Sequence, residues 1–193
     1  MEYLLIGLVS GVLSWTLLEY IIHYPLGHLP KGKTLISAEH LAHHKDVMYF
    51  SPLPKKLRGI IPVFSLIGAA AYFLIGPLFA LGFLVAITAG WVAYEYLHQD
   101  IHVRGPRTAY GRWATRHHLY HHFAKPNKNH GVTTPLWDFI FGTYDAPKRM
   151  TIRERDVQRV PWLAEALAKG ENAPEFVKDY EVRKGGTPAP MSY

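Results

Sequence analysis

Histidine placement constrains this chain more than any other feature. Ten of its 12 histidines fall into four short runs: His23-x-x-x-x-His28, His40-x-x-His43-His44, His98-x-x-x-His102 and His118-x-x-His121-His122. Neutral imidazole is the commonest protein ligand for zinc, iron and copper, and histidines three and four residues apart on a helix point several ring nitrogens to one side. Ten such groups are too many for one metal and suit two. The chain has no cysteine, which excludes thiolate sites and disulfides, so metals must be held by nitrogen, with or without oxygen.

The apolar stretches set the fold class. Tyr3 to Leu18 carries no charge, and the apolar character continues through Ile22, about 20 residues, enough to cross roughly 30 Å of hydrocarbon. A cleaved signal peptide is the competing reading, but Glu2 replaces the usual basic start and no small-x-small cleavage site follows. Gly59 to Tyr94 is a second uncharged stretch of 36 residues with Gly76-Pro77 near its middle, which reads as two spanning helices joined by a tight turn. Neither half shows a polar face, which disfavours a soluble helix pair. The expected fold is all-α: three transmembrane helices and a histidine-rich helical cap.

Three crossings put all four histidine runs on one side. Lys31, Lys33, Lys45, Lys55, Lys56 and Arg58 there oppose only Glu39 and Asp46, so the positive-inside rule places the cap in the cytosol. The formal charge of +6 is then a membrane-surface charge, and no nucleic-acid motif accompanies it.

Local spacing gives further expectations. A five-residue step on an unbroken α-helix turns roughly 140°, so Pro25 and Gly27 are expected to break the helix and bend His23 towards His28. Ser37 reads as the N-cap of a short helix whose face holds His40, His43 and His44. Glu95, His98 and His102 form one stripe. Glu19 and Glu95, each a turn before a histidine, are candidates to receive ring N–H groups of metal-bound imidazoles; interfacial, water-solvated carboxylates are the alternative. Arg104 to Arg107 reads as a turn, and Tyr110 to Phe123 as a helix on which His117 points about 100° away from His118. His117 is accordingly a supporting or surface histidine, and His130 a loop residue near the entrance. Trp137 and Asp138 read as a packing anchor and a helix cap, and Met48, Tyr49 and Phe50 as candidates to line a lipid entrance.

These four runs, interleaved with hydrophobic hairpins and followed by Gly131-Val-Thr-Thr-Pro-Leu-Trp-Asp-Phe-Ile-Phe-Gly-Thr-Tyr144, resemble the fatty acid hydroxylase and sterol desaturase superfamily. The segments His40-Leu-Ala-His-His-Lys45 and Tyr94 to Tyr144 resemble its fatty acid 2-hydroxylase branch most, and the likeness covers roughly residues 15 to 145. The resemblance implies a membrane-embedded di-iron monooxygenase that hydroxylates a fatty acyl or sphingolipid chain with O2, zinc being an alternative occupant in isolated protein. It implies His23, His28, His40, His43, His44, His98, His102, His118, His121 and His122 as metal ligands, with no catalytic residue beyond them. Family members often carry a further transmembrane helix or a fused cytochrome b5 domain. Neither is seen here, so electrons are expected from a separate cytochrome b5, ferredoxin or reductase, and the compact build suggests a bacterial inner membrane. Glu95 stands where aspartate is common and His130 where an aromatic is common, which bears on substrate preference more than on the metals.

The chemistry suits the parts. Breaking an unactivated C–H bond needs a redox metal that activates O2, since no acid–base side chain can do it. Rival readings are a sterol, carotenoid or aldehyde substrate within the superfamily, a zinc carrier, and a zinc hydrolase. A carrier places ligands near mid-membrane, and a hydrolase keeps three ligands per metal and an open water. The domain reading is a hydroxylase-like membrane domain over 1–145 and a tail over 146–193. The tail is expected to hold one short helix, Pro161 to Lys169, closed by Gly170, with disorder from Lys184 to Tyr193.

Overall fold

The computed structural model describes residues 1–185. Among them, three helical segments are long and apolar enough to cross a membrane: Glu2–His28, Leu53–Leu74 and Pro77–Val103. The first comprises α1 (Glu2–Ile21) and a π-helical turn (Ile22–His28); the others are α3 (Leu53–Leu74) and α4 (Pro77–Val103). Gly76, at φ +131°, makes the turn between α3 and α4, a conformation in which a Cβ would be strained.

Helices α1 and α4 run parallel and in close contact through glycine. Gly7 lies against the Phe79 carbonyl, Gly82 against that of Leu4, Gly11 against Phe83 and Ala86, and Gly90 under the Trp15 ring. Small residues let backbones approach where lipid supplies no hydrophobic drive for association. Trp15 is therefore buried by helix packing. Helix α3 touches α4 where Leu84 covers Gly68.

The cap consists of α2 (Leu35–Lys45), α5 (Ala109–Phe123) and the short α6 (Leu136–Ile140). The N-cap of α2 is Thr34, in extended conformation, whose hydroxyl accepts from Ser37 N. Ser37 is not the cap. It sits in the first turn, fully buried, and its hydroxyl donates to Gly27 O at 2.6 Å, fastening α2 to the π turn.

The segment after Tyr144 carries more structure than one helix. The expected helix is present as α8 (Pro161–Ala168), with Gly170 at φ +55°. It is joined by β1 (Met150–Arg153), α7 (Glu154–Val157) and β2 (Tyr180–Arg183), and β1 and β2 pair in parallel, Met150 opposite Tyr180. Strands of four residues with one buried alternation leave little periodic signal. Met150, Ile152, Val160 and Leu163 pack with Val47, Ile101 and Leu119 into one core shared by the tail and the cap. The expected disorder falls largely on residues 186–193, outside the described residues.

The glycine contacts give a test. Gly11→Leu is expected to lower stability in detergent by about 1–3 kcal/mol through overpacking. Gly59→Ala, with nothing within 4 Å of its added Cβ, should stay within about 0.5 kcal/mol of the parent. Equal melting temperatures for the two variants would contradict this packing.

Candidate metal centre

The turn that carries His23 and His28 departs from the expected break. Instead of bending, the chain widens from α to π geometry with Pro25 inside the turn. Proline offers no N–H to an i→i+4 ladder, and an i→i+5 ring places residues five apart on the same face. The rings of His23 and His28 lie 5.8 Å apart and nearly parallel, at 20°.

Ten histidines assemble into two groups. One contains His23, His28, His40, His44 and His121; the other contains His43, His98, His102, His118 and His122, with nitrogens in each group within 4.8 Å of one another. The two His-x-x-His-His runs each divide between the groups. Helix α2 gives its i, i+4 pair (His40, His44) to the first and His43 to the second, while α5 gives its pair (His118, His122) to the second and His121 to the first.

In the first group the Nε2 of His121 lies 2.9 Å from that of His23, 3.0 Å from that of His28 and 3.0 Å from that of His44. In the second, His102 Nε2 is 3.2 Å from His43 Nε2 and 3.0 Å from His118 Nε2. A metal about 2.1 Å from nitrogens at right angles to one another sets them about 3 Å apart, so these spacings match a coordination shell.

Protonation reinforces the fit. His121 Nδ1 lies 2.8 Å from Lys128 O, and His43 Nδ1 lies 2.8 Å from Tyr49 O. A carbonyl only accepts, so each Nδ1 carries the proton and the Nε2 of the neutral ring presents a bare lone pair. Burial, then neighbouring imidazoles, push the pKa values of His40, His44, His118, His121 and His122 well below the ordinary range. Buried lone pairs facing one another need a cation between them. The donor set therefore fits two metal ions, with five nitrogens for each.

The carboxylates act elsewhere. Glu19 accepts from Thr133 N at 2.7 Å and Thr133 Oγ1 at 2.6 Å, and Glu95 pairs with Lys56 and accepts from Trp91 Nε1. Neither reaches a histidine ring; both are engaged by nearer donors, and main-chain carbonyls support His43 and His121. His117 lies outside both groups, buried and stacked on Trp113, with Nε2 3.4 Å from Asp138. His130 is no entrance residue: it is fully buried and stacks on Tyr24 at 4.3 Å.

Asp138 gathers the loop between α5 and α6, taking His130 N, Gly131 N and Thr143 Oγ1 at 2.7–2.8 Å, and is not the cap of α6. Burial opposes its charge, but bonds from His117, Thr143, Gly131 and His130 hold its pKa below the usual value. That loop presents Lys128 O to His121. The reading from sequence missed this role because the acceptors' partners are main-chain groups, which no residue type advertises.

An apolar cavity of ≈ 310 Å³ opens between α1, α3 and α4. Trp15, Ile22, Ile60, Val63 and Phe64 form its walls, and His23, His40, His43 and His98 line it, so both histidine groups border it. Tyr49 and Phe50 line it too; Met48 is exposed and does not.

Three helices long and apolar enough to span a membrane thus carry two all-imidazole groups, each able to hold a metal ion, at the end of an apolar cavity. The comparisons identify the family: a family model described as "Fatty acid hydroxylase" matches residues 8–143, and the chain belongs to that family. A dihydroceramide fatty acyl 2-hydroxylase of Arabidopsis thaliana is 32% identical over 149 residues, 72% of this chain and 61% of the relative. Fatty acid 2-hydroxylase of Rattus norvegicus is 34% identical over 164 residues, 74% of this chain and 40% of the relative. The solved structure described as "Full length scs7p (only hydroxylase domain visible)" superposes with a TM-score of 0.59 at 28% identity, covering 76% of this chain and 57% of that one. The chain thus spans between about two-fifths and three-fifths of the curated relatives' length.

Neutral burial has a pH signature. His43 and His130 are both held down to about 4 against 6.5, chiefly by burial. Between those values the unfolded chain binds protons that the folded chain refuses. This stability is complete above pH 6.5 and is lost as pH falls towards 4, at roughly 1.4 kcal/mol per pH unit for each group. Metal-free protein should melt at progressively lower temperature across that window; a flat profile would show that these rings are not buried neutral.

Proposed function

We propose that the protein is a membrane-bound monooxygenase that hydroxylates a lipid acyl chain, using two iron ions, O2 and electrons from a separate donor protein of cytochrome b5, ferredoxin or reductase type. The observation that carries the reading is the cavity: an apolar space open between spanning helices that ends on both histidine groups. Relatives that act on fatty acyl and ceramide chains support the choice of substrate, and position 2 of the chain is the site their names suggest. A redox metal pair supplies O2 activation, which no side chain here can.

The chain's own residues do the rest. The ten histidines bind without contributing charge, and Tyr49 O and Lys128 O fix the rings of His43 and His121. The cavity walls keep water from the acyl chain and hold it beside His23, His40, His43 and His98. At its rim, the pairs Lys55–Glu39 and Lys56–Glu95 offer donors and acceptors to a polar headgroup. Residues 1–145 form the catalytic unit. The tail from 146 buttresses it: Arg159 donates to His44 O at 2.6 Å and Lys45 O at 3.0 Å, the end of α2.

The cap faces the cytosol, as the lysines flanking α2 and α3 suggest. The bacterial inner membrane rests on build alone, and the plant, mammalian and yeast relatives give it no support.

Protein purified anaerobically in detergent should hold near two metals per chain, and one or none would count against the proposal. His43→Ala and His118→Ala should abolish product while His117→Ala keeps part of it; equal loss in all three would show that His117 belongs with the ligands. Lipid mass spectrometry of cells with and without the gene should show a gain of one oxygen in an acyl chain, and unchanged lipids would sink the assignment.

A further inference from the structure

Helix α6 presents an apolar face that none of the described residues covers. Leu136, Phe139, Ile140 and Phe141 are 40%, 59%, 57% and 55% exposed, although the same segment buries Asp138 completely. Four large apolar side chains side by side on so short an element mark a contact surface, not scatter.

The level of this face follows from its anchor. Trp137 Nε1 donates to Thr16 Oγ1 at 3.0 Å, and Phe141 stacks on Tyr20 at 5.1 Å, so α6 is tied to the flank of α1. Trp15 covers Gly90, and α1 and α4 run parallel, which puts Thr16 level with Trp91. Glu95, paired with Lys56, marks where charge begins on α4. It stands four residues beyond Trp91, a rise of about 6 Å. Trp137 therefore anchors α6 about 6 Å on the membrane side of the first charged pair, within the roughly 5–10 Å to which interfacial helices sink their apolar faces, while Phe141, against Tyr20, lies near the level of that pair. Its exposed face continues that of α1, where Val9, Val12 and Leu13 are more than half exposed along the span.

We propose that α6 is a fourth membrane-embedded element, seated in the acyl boundary of the cytosolic leaflet, with lipid chains as the occupant of its Leu136, Phe139, Ile140 and Phe141 face. The consequence is a mechanical link. Asp138, on the buried side of the same helix, holds His130 N and Gly131 N, and through that loop the bilayer sets the position of Lys128 O and His121. This inference does not depend on which reaction the metals perform.

The chain has no cysteine, so single-cysteine labelling is unambiguous. Phe139→Cys, Val9→Cys in α1 and Glu165→Cys in α8 would each carry a nitrobenzoxadiazole label in phosphatidylcholine–phosphatidylglycerol vesicles. They would be quenched separately by iodide and by lipid bearing a nitroxide high on the acyl chain. Val9 is 62% exposed within the span, and the Glu165 side chain is 75% exposed, so the two serve as lipid and water references. The expected result is iodide quenching at residue 139 about threefold weaker than at residue 165, with nitroxide quenching stronger than at either reference, as a shallow position requires. Iodide quenching equal to that at residue 165 overturns the proposal, and so does protection from both quenchers, which would mean that protein covers the face. Ile140→Cys repeats the measurement should the first label disturb folding.

Discussion

Everything in this molecule depends on a set of ring nitrogens that cannot satisfy one another. A buried acceptor needs a donor, yet burial strips the second proton from these imidazoles, and where Nδ1 donates to a carbonyl the Nε2 has only a lone pair to offer. Packed at about 3 Å, such atoms repel unless a cation stands among them. Their assembly is therefore costly without a cation, and a cation bound among them would add to the stability of the cap. The helical frame must hold the rings in place against that repulsion. This explains why so much main chain is committed to them: the π turn, the Ser37 fastening, the Asp138 loop and the Arg159 cap all act on elements that carry histidines.

The division of each His-x-x-His-His run between two groups has a physical consequence. On one helix, residues i and i+4 lie nearly in line while i+3 is offset to the other side of that line. Two such helices facing each other can exchange their offset residues, and α2 and α5 do so through His43 and His121. Neither helix can slide without displacing a nitrogen from both groups. The separation of the two groups is then fixed by side-chain geometry, and all ten members are histidines, with no carboxylate among them.

What the sequence made legible was whatever is local. Uncharged runs and histidine spacing disclosed the spans, the Gly76-Pro77 turn, and the ten residues that converge. What it concealed depends on partners far along the chain. Pro25 reads as a breaker because the α-helix is the usual reference, and only the fit of a five-residue step to a wider turn reveals the π geometry. Ser37 is a good cap residue by type, but the nearby Gly27 carbonyl takes its hydroxyl and Thr34 caps the helix instead. Glu19 and Glu95 stand at the right helical offset from histidines, but Thr133 and Lys56 reach them first. His130 does lie in a loop, as the Pro, Asn and Gly around it indicate, but its burial follows from Tyr24 and the Asp138 loop. The strands of the tail are too short to show alternation at all.

The position of the centre at the membrane lip follows from opposing solvation demands. On the proposed function, two divalent ions with only neutral ligands would be costly to place in hydrocarbon, and a long acyl chain costly to draw out of it. The boundary is the one level where both costs are small. The protein extends that level in two ways. The parallel, glycine-mediated contact of α1 with α4 leaves α3 apart from α1 and opens a cavity through which apolar surface reaches the histidines from below. The charged pairs of Lys55 and Lys56 then close the rim from above. On the proposed function, a substrate with a polar head and an apolar tail would be held by the same gradient that holds the protein, and the carbons nearest its head would lie nearest the histidine groups. Selectivity for those carbons would come from the depth of the bilayer boundary as much as from any single side chain.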